Sequence, residues 1–504
     1  MKLTAEKNPD LHTKAYSVSL VFPTNQVILL IKKTNTVLVL TAFCFCLGVL
    51  SSCKKDTIIT NSSAKLSFST DSVLFDTVFT TVGSTVRGFL VRNTASQPIN
   101  ISSIKLAGNY TSPFKINVDG IAGASFSNIK IPAKDSIFVF VTCTLNPNNQ
   151  NNPIVIEDSL VFSTNGNTQN VYLEAYGQDA YFFKPNVFPP SGPAYCIIPC
   201  SNSTWTALKP YVIFGYAIDT GCTLTMQPGT RVYFHNNGVL WIYANASLQV
   251  QGNQANPVTF QGDRLEPEYK YVPGQWGEIW LSPGSKNNMI SWAVIKNGTI
   301  GVEADTNVTP GVPTLQMDHT IIKSMSEFGL LGEGSFITGD NNLIEDCQYY
   351  DLDLSLGGKY RFYQCTFANY WSYSQRQTPL LLLNNHYTDV NGNNQSRNLD
   401  SAFFTNCIVY GSVANEVALD AQGGTFHYYF DHCDVKTPLP AANYTACISA
   451  DPSFNATGEP PSDDYRVTSN SAAIGSGTNT YGTYAPDLSG GSILGTPTIG
   501  AYQQ

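Results

Sequence analysis

The sequence predicts an all-β protein: a β-sandwich followed by a parallel β-helix, a solenoid of short stacked strands. Three observations predict it. Charged residues make up only 13% of the 504, and no long stretch has helical apolar spacing, which argues against coiled-coil and all-α folds. Apolar residues reach 42% and aromatic ones 12%, enough to build packed cores rather than a disordered chain. Apolar residues alternate in short runs between Gly, Pro and Asn turns, and beyond residue 205 those runs recur with a period of about 26. Asp and Glu number 37 against 28 Lys and Arg, so the net charge of −9 makes nucleic acid a poor partner.

Residues 1–52 read as a leader ending in a signal peptide. Lys32 and Lys33 precede an apolar run from Val37 to Leu50, which suits a signal-peptide core and is short for a bilayer span. The run ends Leu50-Ser51-Ser52-Cys53, which resembles a bacterial lipobox. That resemblance implies cleavage before Cys53 and acylation of its thiol and new amino group. It further implies a lipid anchor in the outer membrane of a bacterium, with the chain exposed at the surface. Several acyl chains anchor firmly where one is marginal. Residues 53–64 read as a polar tether.

Residues 65–180 carry seven evenly spaced apolar runs, among them Val86–Val91, Ile137–Val141 and Ser159–Phe162, the pattern of a β-sandwich. The segments Val91-Arg92-Asn93, Ile99–Ile104 and Ile131-Pro132-Ala133-Lys134-Asp135 resemble Ig-like modules of bacterial surface proteins, which implies a spacer. Residues 181–204 form a Pro-rich junction.

The solenoid covers 205–446. Strict alternation opens it at Leu224/Met226, Val232/Phe234, Leu240/Ile242, Leu248/Val250 and Val258/Phe260. Downstream, Ala293, Thr320, Cys347, Cys365, Cys407 and Cys433 form one column. Each has an apolar residue three positions before it and another two after it, such as Phe362 and Phe367 around Cys365. Stacking these positions coil on coil buries a continuous core, and residue Gln364, just before the column, should face solvent. A propeller blade needs four strands in about 40–45 residues; a three-strand coil fits about 26.

Leu224–Thr230, Leu248–Gly252, Asn256–Phe260, Trp276-Gly277 and Cys365–Trp371 resemble right-handed parallel β-helix surface lipoproteins of bacteria, whose broader relatives are pectin-lyase-like proteins. Asp451–Phe454, Asp463–Val467, Ser471–Ile474 and Ile499–Tyr502 resemble their closing segment, so 447–504 is expected to cap the rod's end.

The chemistry-bearing residues are sparse. Cys347, Cys365, Cys407 and Cys433 read as buried free thiols, since no CxxC or His cluster accompanies them. Cys196 and Cys200 can pair in an oxidising compartment, with Cys222 as an alternative partner. The acids Glu303, Asp305, Glu333, Asp351, Asp353 and Asp420 do not align in one register when counted from the column, so no catalytic set, metal site or cofactor is expected. Tyr370, Trp371, Tyr373 and Arg376 could contact a glycan. The expected function is therefore a lipid-anchored surface protein for adhesion or glycan binding without catalysis, its partners the membrane and an extracellular glycan or surface protein. The alternatives are a polysaccharide lyase or glycosidase of the pectin-lyase-like fold, and a structural envelope protein.

Overall fold

A computed structural model describes residues 57–147, 154–439, 442–458, 462–480, 486–493 and 495–504. The leader and Cys53 lie outside them. Among the described residues there is no α-helix; the chain is all-β, with large parallel sheets consistent with a β-helix.

The N-terminal unit is two five-stranded sheets. One orders Leu66–Phe68, Arg87–Asn93, Ser136–Cys143, Phe114–Val118 and Ile121–Gly123; the other orders Ser72–Phe79, Asn167–Gln178, Ile154–Thr164, Ile99–Leu106 and Ser125–Ile131. Period-2 alternation sends Phe89, Val91, Val139 and Val141 from one sheet, and Ile101, Ile104, Leu160 and Phe162 from the other, into a shared core. Phe79 leaves this unit to pack against Tyr233, ring centroids 5.0 Å apart, with Val212 beneath.

From Tyr181 onward every ladder between successive coils is parallel. Ten strands, from Thr204–Trp205 to Tyr444–Thr445, stack as the first sheet. Val258–Gly262, Ala293–Lys296, Ile321–Lys323, Leu343–Glu345, Thr366–Asn369, Ile408–Gly411 and Asp434–Val435 stack as a second. Ile279–Leu281, Ile300–Ala304, Phe328–Glu333, Tyr350–Ser355, Leu381–Asn384 and Val417–Asp420 stack as a third. At the N-terminal end, Tyr211–Asp219 and Arg231–Ile242 run through both of these sheets. The core between the three is one cluster from Cys196 to Val435.

Corners make the coil possible. Trp292, His319, Asn341, Gln364, Asn406, His432 and Ala446 all have φ between 46° and 55°, each turning the chain from the first sheet to the second. The residue after each corner forms the true column: Ala293, Thr320, Asn342, Cys365, Cys407 and Cys433, all buried, then the half-buried Cys447. Its members are stitched together. Thr320 N–H donates to Asn342 Oδ1 (3.0 Å), Asn342 N–H to Cys365 Sγ (3.5 Å), Cys407 N–H to Cys433 Sγ (3.4 Å) and Cys433 N–H to Cys447 Sγ (3.4 Å).

Cys347 is therefore not in that column. It follows Asp346 (φ 52°), a corner of the same kind between the second and third sheets, where Asn297 and Ser324 precede Gly298 and Met325. Cys347 is buried and free as expected, while Tyr349, expected to point inward, is 43% exposed. The disulfide joins Cys200 to Cys222, leaving Cys196 free and buried.

Two further expectations change. The described residues of 454–504 lie along the outside of the second sheet rather than across the rod's end. Tyr465, Leu488 and Ala501 cover Leu343 and Ala368, and Val467, Ala473 and Ile499 cover Ile408. Strands with apolar residues on both faces need cover on both. Gln364, expected in solvent, is 1% exposed beneath this segment and donates to the carbonyls of Thr498 (3.0 Å) and Gly500 (3.2 Å). Asn406 and His319 hold it likewise, through Thr478 and the Pro486 carbonyl.

Candidate functional site

Among the described residues the C-terminal segment packs on the second sheet and not on the outer face of the third, where the register gathers acids. Strand pairing aligns Trp241, Trp280, Glu303, Leu331, Asp353 and Leu382 in one outward row. Two residues along, Asp305, Glu333, Ser355, Asn384 and Asp420 form a second row. Alternation places both rows outside, since Val302, Ala304, Leu330, Leu352 and Leu354 between them are fully buried. Five of the six acids noted in the sequence thus share a face. Asp351 does not: its Oδ1 is buried, accepting from Cys347 N–H (3.2 Å) and Asn369 Nδ2 (2.9 Å).

Glu303, Asp305 and Glu333 each bring a carboxylate oxygen within 4.8 Å of the others. Trp280 Nε1 donates to Asp305 Oδ2 at 2.8 Å. The parallel strands force this crowding, because adjacent coils sit about 4.8 Å apart. Partial burial, reinforced by the charge of Glu278, pushes the Glu303 carboxyl up to about 9, so it holds a proton at neutral pH. Burial also raises Glu278, Asp305 and Glu333, and takes Asp353 up to about 6. A protonated carboxyl beside carboxylates is an arrangement able to give and take protons. Oxygen donors at this spacing also suit a hard cation such as calcium.

Aromatic rings continue the face toward the N-terminal end. Trp241 and Trp280 stack at 4.3 Å, with Tyr216 and Tyr243 edge-on to Trp241 at 6.3 and 5.3 Å. At the other end His386 Nε2 meets Asp420 Oδ1 at 2.9 Å, and this pairing lowers the Asp420 carboxyl.

The residues picked out as glycan contacts do not form one exposed platform. Trp371 is buried, its Nε1 donating to Ser374 Oγ (2.9 Å). Arg376 is buried against Glu416, with Nη1 to Oε2 at 2.8 Å. Tyr370 packs against Phe454 and Tyr465 of the C-terminal segment. Tyr373 alone of the four stays exposed. Around His432, Nδ1 pairs with Asp431 (2.8 Å) while Asp434 is buried and accepts from Ala450 N–H; no metal-type cluster forms there among the described residues.

No protein-family model matches the sequence, and no curated protein is similar to it. Three solved structures give the range of likeness. A family 123 glycoside hydrolase from Clostridium perfringens is 8% identical over 24% of this chain and 30% of its own, with a TM-score of 0.17. A protein of unknown function from Porphyromonas gingivalis is 12% identical over 24% of this chain and 57% of its own, TM-score 0.17. The catalytic unit of a GH87 α-1,3-glucanase from Streptomyces thermodiastaticus is 10% identical over 68% of this chain and 61% of its own, TM-score 0.17. The matched parts span less than two thirds of each of these chains.

Proposed function

We propose that this chain is a lipid-anchored surface protein of a bacterial outer membrane, and that its right-handed rod hydrolyses a polysaccharide on the outer face of the third sheet. The two-sheet unit is an Ig-like spacer between the anchor at Cys53 and the rod. One observation favours hydrolysis over adhesion or glycan binding without catalysis: the Glu303–Asp305–Glu333 cluster, in which one carboxyl holds its proton beside others within 4.8 Å. Glu303 is the proton donor to the leaving oxygen. Asp305, whose ionised form the Trp280 N–H favours, is the nucleophile. Carboxylate oxygens within 4.8 Å leave no room for an intervening water, which fits retention of anomeric configuration better than inversion. The neighbouring rings of Trp241 and Trp280 offer apolar surface to a sugar chain.

The test is release of reducing ends from a panel of polysaccharides by the purified protein. Glu303→Gln and Asp305→Asn should each lower the rate by about 10²–10⁴-fold without unfolding the chain. An unsaturated sugar end in the product would make it a lyase instead. Retention of a glycan without cleavage would restore the adhesin reading, and neither binding nor cleavage would leave a structural envelope role. The anchor has its own test: Cys53→Ala should abolish lipid labelling.

A further inference from the structure

We infer that the corner between the second and third sheets carries a small oxyanion-binding pocket, built on Lys296 and Lys270 and separate from the acid face. The pocket has a volume of about 170 Å³ and is lined by Arg264, Tyr269, Lys270, Gln275, Lys296 and Asn297, among others, with no acidic side chain in its wall. At about 30 Å³ per water, it holds a phosphate-sized group and a short polar attachment, and is too small for an extended chain.

Three cations meeting in a chain of net charge −9 call for an account of their partners. The acids nearby are already committed. Glu266 takes Arg264 (3.2 Å), which also lies over the Tyr269 ring; Glu268 pairs with Arg87; Asp263 pairs with His235 (2.7 Å). On the next coil, Lys323 is held by Glu345 (3.0 Å) and Asp463 (2.9 Å). Lys296 and Lys270 have no carboxylate among the described residues, and Lys270 rests only near the Tyr271 ring. Burial, with Lys323 and Lys270 as like charges, lowers the Lys296 ammonium. An anion here would relieve that repulsion, the reverse of the condition on the acid face.

The wall of the pocket is held in place by two amides. Gln275 Nε2 donates to the carbonyls of Tyr269 and Val272, both at 2.7 Å, which fixes the amide's orientation. Asn297 braces the same loop through the Lys270 carbonyl (2.9 Å). A ligand with an oxyanion satisfies the lysines. Phosphate as a free ion and phosphate carried on a sugar share that chemistry.

The inference stands apart from the hydrolytic reading, so Asp305→Asn should leave it untouched. Titration of the full-length protein in detergent with inorganic phosphate should give saturable one-to-one binding. Phosphate should also slow labelling of Lys296 by an amine reagent at least about tenfold, read by peptide mass. Lys296→Met should abolish binding, Lys296→Arg should retain it, and Lys270→Met should weaken it severalfold. Glucose 6-phosphate binding about tenfold tighter than phosphate would assign a sugar-borne anion; equal affinities would assign the free ion. If neither probe saturates, or if Lys296→Met with an unchanged unfolding profile binds as the parent does, the pocket is not an anion site.

Discussion

Gln364 sits at a left-handed corner, and its amide links that corner to two carbonyls of the C-terminal segment, those of Thr498 and Gly500. Replacing it with Leu leaves the Gly500 carbonyl without this donor, while Thr498 keeps that of Gln503 Nε2 (3.2 Å), at a cost of about 1–3 kcal/mol. Thermal unfolding should move down by several degrees; an unchanged midpoint would mean the segment is held by its apolar contacts alone. Glu303 makes the opposite kind of contribution. Folded, it keeps its proton up to about pH 9, whereas a free glutamate loses it near pH 4.3. Between those values the folded chain binds more protons than the unfolded one, so this group's contribution to stability is present at low pH and falls as pH rises. Glu303→Gln should flatten the decline in melting temperature between pH 5 and pH 9. Parallel declines in parent and variant would show that Glu303 is already ionised at neutral pH.

At the scale of the coil, the period and the stacked core could be read from the sequence because apolar side chains report directly which way they point. Phe362, Phe367, Phe404 and Phe430 are all fully buried, as their spacing from the cysteines predicts. The corner was harder. Asn342 belongs to the column but lies three residues after Gly339, which has no side chain to signal an inward position, whereas Cys347 is flanked by Ile344 and Tyr349 and mimics the pattern. That misplacement hid the place of Asp353 on the acid face, and the division of the acids between two rows hid the rest. Counted from the true column, Glu303 stands ten residues after Ala293 and Asp353 eleven after Asn342, nearly one register. What could not be read at all is the cladding by residues 454–504, since outward apolar residues such as Leu343 and Ile408 look like any other strand residues until something covers them. The corrected register makes a sharp contrast. Phe367→Asp buries a charge between Phe362 and Phe404, at 5.5 and 6.3 Å, and should cost several kcal/mol. Tyr349→Asp, on the exposed position, should change stability by less than about 1 kcal/mol. Denaturant unfolding of the two variants distinguishes this register from one in which Tyr349 is core.

At the scale of the molecule, the rod is a chain of neighbour contacts, so what happens at its N-terminal end decides whether two domains behave as one. The end is closed by the junction strands Tyr181–Phe183 and Tyr195–Ile197 and by the Cys200–Cys222 bridge. Beyond them the sandwich touches the rod through a small apolar joint of Phe79, Val212 and Tyr233, with the Arg87–Glu268 ion pair at its edge. The ion pair is partly solvated and contributes little on its own, about 0–1 kcal/mol. The coupling must therefore come from Phe79, which is almost fully buried against Tyr233 at 5.0 Å. Removing that ring costs about 3–5 kcal/mol, drawn from contacts that belong to both domains. In the parent, unfolding the sandwich exposes Tyr233 and weakens the first coil, so the two should melt in one transition. In Phe79→Ser the sandwich loses its hold on the rod while each keeps its own core, and calorimetry should resolve two transitions, the lower from the sandwich. Arg87→Ala should leave the single transition intact. If Phe79→Ser also melts as one, the coupling runs through the junction strands instead, and the joint is only a resting contact between domains that fold together.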